Sequence, residues 1–159
     1  MKMNLVNLFI EVAFGFLSSV GFGIITNVPR RTLMASGVTG GLAWGVYVLV
    51  DQVAGNVILP NLLAALTIGV LANVAAIAVR APVNVMYVPC LVSLVPGAII
   101  YMSMKNFTLG HDASAQQGLI KTLTVAFALA IGFVLAEALM NQVRPWIQRL
   151  LHREVSQRR

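Results

Sequence analysis

Five apolar stretches, each close to the length needed to cross a bilayer, constrain this chain more than any other feature. They run roughly Asn4–Thr26, Leu33–Val50, Val57–Val79, Val83–Met104 and Gly118–Met140. A helix needs about 20 apolar residues to cross a hydrocarbon core of about 30 Å. Lipid offers no partner to backbone N–H and C=O groups, so spanning segments are helices or closed barrels. The alternating strands of about ten residues that build a membrane barrel are missing. The expected fold class is therefore an all-α integral membrane protein with five transmembrane helices.

Composition agrees. Only 10% of the 159 residues are charged and 58% are hydrophobic, where a soluble domain carries about 25% charge. The polar segments between spans are too short for a core of their own. Residues 1–143 read as one transmembrane domain and residues 144–159 as a basic tail. The first stretch resembles a signal peptide in position, with Lys2 ahead of it. Its apolar run is too long, Glu11 interrupts it and Arg30-Arg31 follow it, so it reads as a mature helix.

The net charge of +6 is unevenly placed. Arg30 and Arg31 follow span one, Arg80 follows span three, and Arg144, Arg149, Arg153, Arg158 and Arg159 follow span five. Five spans put all eight on one side of the membrane, against Lys2, Lys105 and Lys121 on the other. The positive-inside rule makes the arginine side cytoplasmic, with the N-terminus outside, in a plasma membrane such as the bacterial inner membrane. In the tail, Val143, Trp146, Ile147, Leu150 and Leu151 share a face opposite Arg149 and Arg153, with Pro145 near the start. That pattern predicts a basic amphipathic helix lying on anionic lipid. No groove-reading or base-stacking module is visible, so nucleic acid is not an expected partner.

Polar residues at membrane depth are few: Glu11, Asn73, Ser93, Thr124 and Glu137. A charge there is costly and marks an ion or substrate path, a proton relay or a partner. Glu11 shares a helix face with Gly15, Ser19 and Gly23, each four apart, which aims it at another helix. A carboxyl so placed can take up and release a proton during a transport cycle. Glu137 lies near the end of span five, within reach of interfacial water or Arg144. Span two carries Gly37, Gly41 and Gly45 at the same spacing, and span five Ala128, Gly132 and Ala136, which predicts close helix packing.

Span four is different. Pro89 and Pro96-Gly97 fall inside it, near Asn84 and Ser93. An interior proline removes a hydrogen bond and crowds the carbonyl four residues back, so this helix is expected to be kinked or broken. Broken helices line solute sites in many secondary transporters. An odd number of spans leaves no symmetric duplication within the chain, so an inverted repeat needs a second polypeptide.

No nucleophile–base–acid set, nucleotide loop or metal-ligand pair at useful spacing is present, and neither a cofactor nor a metal is expected. Cys90, the single cysteine, reads as a small buried residue. An intramembrane enzyme needs a catalytic pair, for which only Glu11 and Glu137 are available.

Two segments resemble the threonine/serine exporter family, small five-helix subunit type: Gly21-Phe22-Gly23-Ile24-Ile25-Thr26-Asn27-Val28-Pro29-Arg30-Arg31, and Leu94-Val95-Pro96-Gly97-Ala98-Ile99-Ile100-Tyr101. The resemblance covers nearly the whole chain. It implies a half-exporter that pairs with a larger membrane subunit, is driven by the proton motive force, and moves threonine, serine or dicarboxylates such as succinate. It carries over Asn27, Pro29, Pro96 and Gly97 as motif residues. The candidate path is thus Glu11, Asn27, Pro29, Asn73, Ser93, Pro96, Gly97 and Glu137. The alternative is a scaffold subunit whose small-residue faces dock a larger membrane protein. A homo-oligomer would also cover those faces.

Overall fold

The computed structural model describes residues 5–156, with side chains described through residue 143. Six helices and no strands are present among them: α1 (Leu5–Ile25), α2 (Arg30–Ala54), α3 (Ile58–Val79), α4 (Val83–Leu91), α5 (Gly97–Thr108) and α6 (Asp112–Ser156). Four of these, α1, α2, α3 and the Asp112–Val143 part of α6, are long and apolar enough to cross a membrane. Their outward faces are apolar, with Phe9, Phe14, Leu17, Phe127 and Val134 among the exposed residues. Such a surface is at home against lipid tails.

The expected fourth span is not one helix. It is split into α4, of nine residues, and α5, of twelve. Pro89 stays inside α4, and the break falls at Val92–Pro96. Pro96 has no N–H to give to the Val92 carbonyl. The Gly97 N–H turns to the Val95 carbonyl at 2.8 Å instead of reaching Ser93. The tail differs too: α6 continues without interruption through Pro145 to Ser156, so its backbone is one helix with span five. The lipid-facing side chains expected of the tail lie outside the described residues.

Small residues set the packing. Gly15, Ser19 and Gly23 are the buried residues of α1. Across from them, Gly41 and Gly45 admit Val12 and Phe16, and Gly37 admits Phe16 and Val20. This places α1 antiparallel to α2 at backbone contact distance. A second seam joins α3 to α6: Gly69 meets Ala136, and Gly132 meets the Leu62 carbonyl and Ala65. Sequence numbers rise together along it, so α3 and α6 run parallel. Between these seams lie Ala43, Ala64, Ala65, Ile68, Ala72, Ala76, Met86, Cys90 and Leu94 as the core.

The two turns at the arginine-bearing end are built alike. Asn27 and Arg80 are the non-glycine residues with positive φ, at 56° and 53°. Val28 N–H bonds the Gly23 carbonyl at 2.9 Å, as Ala81 N–H bonds that of Ala76 at 3.0 Å. A proline then opens the next helix, Pro29 for α2 and Pro82 for α4. This is a Schellman-type stop followed by a proline start. The offset that carries Asn27 onto Arg80 also lays α1 on α3 and α2 on the α4–α5 pair. Two hairpins in the chain thus match in helix bounds and in the geometry of their turns, with α6 outside the match.

Candidate functional site

The eight candidate residues fall in three places. The first lies where α1, α2 and the break after α4 meet. The Trp44 indole Nε1–H donates to Glu11 Oε2 at 2.8 Å. Trp44 can stand there because Gly15 has no side chain: a Cβ at Gly15 would lie 2.7 Å from Trp44 Cβ. Its ring stacks on Tyr47 with centroids 5.0 Å apart. Beside the pair is an open cavity of about 280 Å³ lined by Glu11, Phe14, Gly15, Ser18, Trp44 and Ser93. Ser93 belongs to the broken segment and lines this cavity, while its Oγ is itself buried and has no hydrogen-bond partner among the described residues.

The neighbouring seam is closely packed. Ser19, 0% exposed, lies against Gly40, and a Cβ on Gly40 would also be 3.5 Å from the Cys90 backbone. Cys90 is buried, and its thiol reaches the Ser36 carbonyl at 3.2 Å. The Oγ atoms of Ser19 and Ser36 are likewise without partners.

The second place holds Asn73 and Glu137, which a third residue, Tyr87, brings together. Asn73 Nδ2 donates to the Gly69 carbonyl at 2.9 Å and to Tyr87 Oη at 2.7 Å. Glu137 Oε2 is 3.4 Å from both Asn73 Nδ2 and Tyr87 Oη. Tyr87 packs edge-on against Phe133 at 5.3 Å. A cavity of about 320 Å³ lined by Tyr87, Leu91, Phe133, Val134 and Glu137 opens beside them.

The third place is the α1–α2 turn. Asn27 and Pro29 border a cavity of about 360 Å³ with Thr26, Val28, Asn84, Val85 and Val88. Asn27 holds its left-handed conformation there, a role that asparagine fills better than other side-chain-bearing residues. Pro96 and Gly97 line none of these three cavities; they make the break that puts Ser93 beside Glu11.

The structure does not bring Glu11 and Glu137 together. They stand on α1 and α6, which make no contact among the described residues, so the two carboxylates form no catalytic pair. Among the described residues no group of three acidic, cysteine or histidine side chains is placed to hold a metal ion. Trp44 and Tyr87 are the site residues that sequence reasoning misses. Their signal is a polar atom on an aromatic ring at membrane depth, which needs a partner.

A family model described as threonine/serine exporter, ThrE, matches residues 11–139. The chain belongs to the threonine/serine exporter family. The matched region begins at Glu11 and ends just past Glu137, so all three places lie within the exporter-family segment. With its membrane-length helices, this exporter-family chain is a membrane protein. Comparison with curated proteins and with solved structures gives no significant match.

Proposed function

We propose that this chain is the membrane-embedded half of a secondary-active exporter of small polar metabolites. It works with a larger exporter-family membrane subunit, in a bacterial plasma membrane, with its N-terminus outside and its C-terminus in the cytoplasm. The proton motive force drives export, as the family resemblance implies; without a nucleotide-binding loop in this sequence, the energy comes from an ion gradient or from a partner.

One observation carries the reading. Glu11 and Ser93 line one open cavity beside a broken helix, where a scaffold would be expected to pack them in a close helix contact. A carboxylate, an indole and the exposed Ser18 hydroxyl suit a solute with an ammonium group and a hydroxyl. That favours threonine and serine over a dicarboxylate such as succinate, whose charges the Glu11 carboxylate would repel. Family membership points to the same substrates.

The test is efflux of radiolabelled threonine, serine and succinate from cells lacking their native exporter. Cells would express this chain alone, this chain with the larger subunit, and the pair carrying Glu11→Gln, each with and without a protonophore. The expected result is threonine or serine export that needs both chains, fails with the protonophore and fails with Glu11→Gln. No export in any combination, with the two chains still co-purifying, would replace this reading with the scaffold. Export unaffected by Glu11→Gln would remove the Glu11 cavity as the solute site.

A further inference from the structure

Glu137 is the second carboxylate at membrane depth, and its surroundings are unlike those of Glu11. Its side chain is exposed beside a cavity whose other lining residues, Tyr87, Leu91, Phe133 and Val134, offer one hydroxyl and otherwise apolar surface. Among the described residues its hydrogen-bond partners are Asn73 and Tyr87, both at the long distance of 3.4 Å. Asn73 has two N–H hydrogens. Its two shorter bonds, to Gly69 and Tyr87, use both. Glu137 is left with the Tyr87 hydroxyl as its donor.

That hydroxyl has a choice. Tyr87 Oη lies 3.4 Å from Glu137 Oε2 and 3.5 Å from the Gly69 carbonyl. When Glu137 is ionised, the Tyr87 hydrogen turns to it and ties α4 to α6. When Glu137 holds a proton, that proton can go to Tyr87 Oη, which keeps the α4–α6 tie, and the Tyr87 hydrogen is released to Gly69, which adds a second tie from α4 to α3 beside the Asn73 bond. The charged side chains described on the elements around Glu137 are remote from it. Arg80 lies two turns beyond Asn73 at the end of α3, α4 brings Tyr87 and no charge, and Lys105 lies on α5 at the far half of α6. On α6 itself, Lys121 is more than four turns before Glu137, and Arg144 has its side chain outside the described residues.

We propose that Glu137 is a proton-binding site separate from the Glu11 cavity, and that Tyr87 is the positioning residue that passes its protonation to the broken helix. Tyr87 lies one turn before Leu91, where α4 ends, and Ser93 of the Glu11 cavity follows directly. The proton thus acts at the middle of one short helix and the solute at the break just beyond its end. The proposal rests on the exporter reading and divides that function between the two carboxylates.

The test uses the purified exporter complex in liposomes that enclose a pH-sensitive dye. Counterflow exchange of radiolabelled threonine, which needs no net proton movement, is compared with net transport driven by a pH gradient. Glu137→Gln is expected to keep exchange within about twofold while gradient-driven transport and substrate-linked proton flux fall at least about tenfold. Tyr87→Phe is expected to give the same split with Glu137 intact. Glu11→Gln is expected to lose both activities. Proton flux that persists in Glu137→Gln overturns the proposal. So does loss of exchange together with net transport in a variant that still elutes as the intact complex, because Glu137 would then belong to the solute path. A second arm needs no transport. A hydrophobic carbodiimide in native membranes takes up a protonated carboxyl across its C=N bond as an acylurea. Labelling at Glu137 that declines as pH rises supports the proton site even if neither threonine nor succinate moves and the exporter reading fails. No labelling at Glu137 at any pH overturns it.

Discussion

Replacing Trp44 by Phe isolates a single atom pair. Phe keeps a ring to stack on Tyr47 and a Cβ to lie over Gly15, and removes only the Nε1–H that Glu11 accepts at 2.8 Å. A hydrogen bond to a charged group contributes about 1.5–3 kcal/mol. Glu11 is half-buried and borders an open cavity, so water can take the place of the indole and the lower end applies. About 1.5 kcal/mol corresponds to roughly tenfold in an equilibrium constant. If Trp44 holds Glu11 in position for the solute, that factor appears in transport. Threonine exchange in liposomes is expected to show KM raised about tenfold, with a similar maximal rate. Unfolding in an SDS titration should move by less than about 0.5 kcal/mol, because the released carboxylate rehydrates. In the Glu11→Gln background the same substitution should add little, since the coupled partner is already gone. An unchanged KM would refute the argument that Glu11 must be oriented. A matched loss of stability and rate would show the pair to be only a helix clamp.

Two further predictions concern the frame that holds the site. A Cβ at Gly132 would stand 2.6 Å from the Leu62 carbonyl oxygen and 2.7 Å from Ala65 Cβ. Neither atom can rotate away, so Gly132→Ala should force α3 and α6 apart at a cost of about 2 kcal/mol. Gly21→Ala, with nothing within 4 Å, should be neutral or slightly stabilising, and equal SDS-unfolding stabilities for the two would contradict the seam. Asn27 sits at φ 56°; Asn27→Ala should cost about 1 kcal/mol and Asn27→Gly almost nothing. If Asn27→Gly nevertheless lowers export, the side chain itself handles solute at that end of the bundle.

Some of this was legible in the chain because lipid allows few solutions. Long apolar segments must be helices, and small residues four apart must face a neighbour. Glu11 is on the same stripe as Gly15, Ser19 and Gly23, so its inward placement follows from α1 alone. Trp44 is different: its meeting with Glu11 depends on the register of α1 against α2, which the period of neither helix encodes. The same holds for Asn73, Tyr87 and Glu137, which come from three helices. The site of the break is a matter of packing as well as of proline. Pro89 remains helical because it is buried, with Gly23 close by; Pro96 leaves the bundle with α5, whose neighbour is α6. The tail pattern suggested a separate helix beginning near Pro145, yet a proline removes only one bond and the backbone of α6 passes through it.

The matched hairpins explain why the break lies where the polar residues are. Under the offset that carries Asn27 onto Arg80, Trp44 falls on Gly97, so the first hairpin is continuous at the level where the second is interrupted. In the first, the Gly37, Gly41 and Gly45 face lets α2 lie along the whole of α1. In the second, only α4 lies along α3, over its later half. The earlier half of α3 is taken by α6, through Gly132 and Ala136. The break therefore does two things: it admits α6 beside α3, and it leaves Ser93 lining the Glu11 cavity. Both cavities then depend on α4. This helix touches α1, α2 and α3, reaches Glu137 of α6 through Tyr87, and has Pro82 before it and Pro96 beyond its far end. A nine-residue helix held in this way cannot move alone. If it shifts toward α3 or toward α6, it must change the Tyr87 hydrogen bonds at its middle and reshape the Ser93 wall just beyond its end. An exporter needs that linkage: it has to make a solute in one cavity sensitive to a proton in the other.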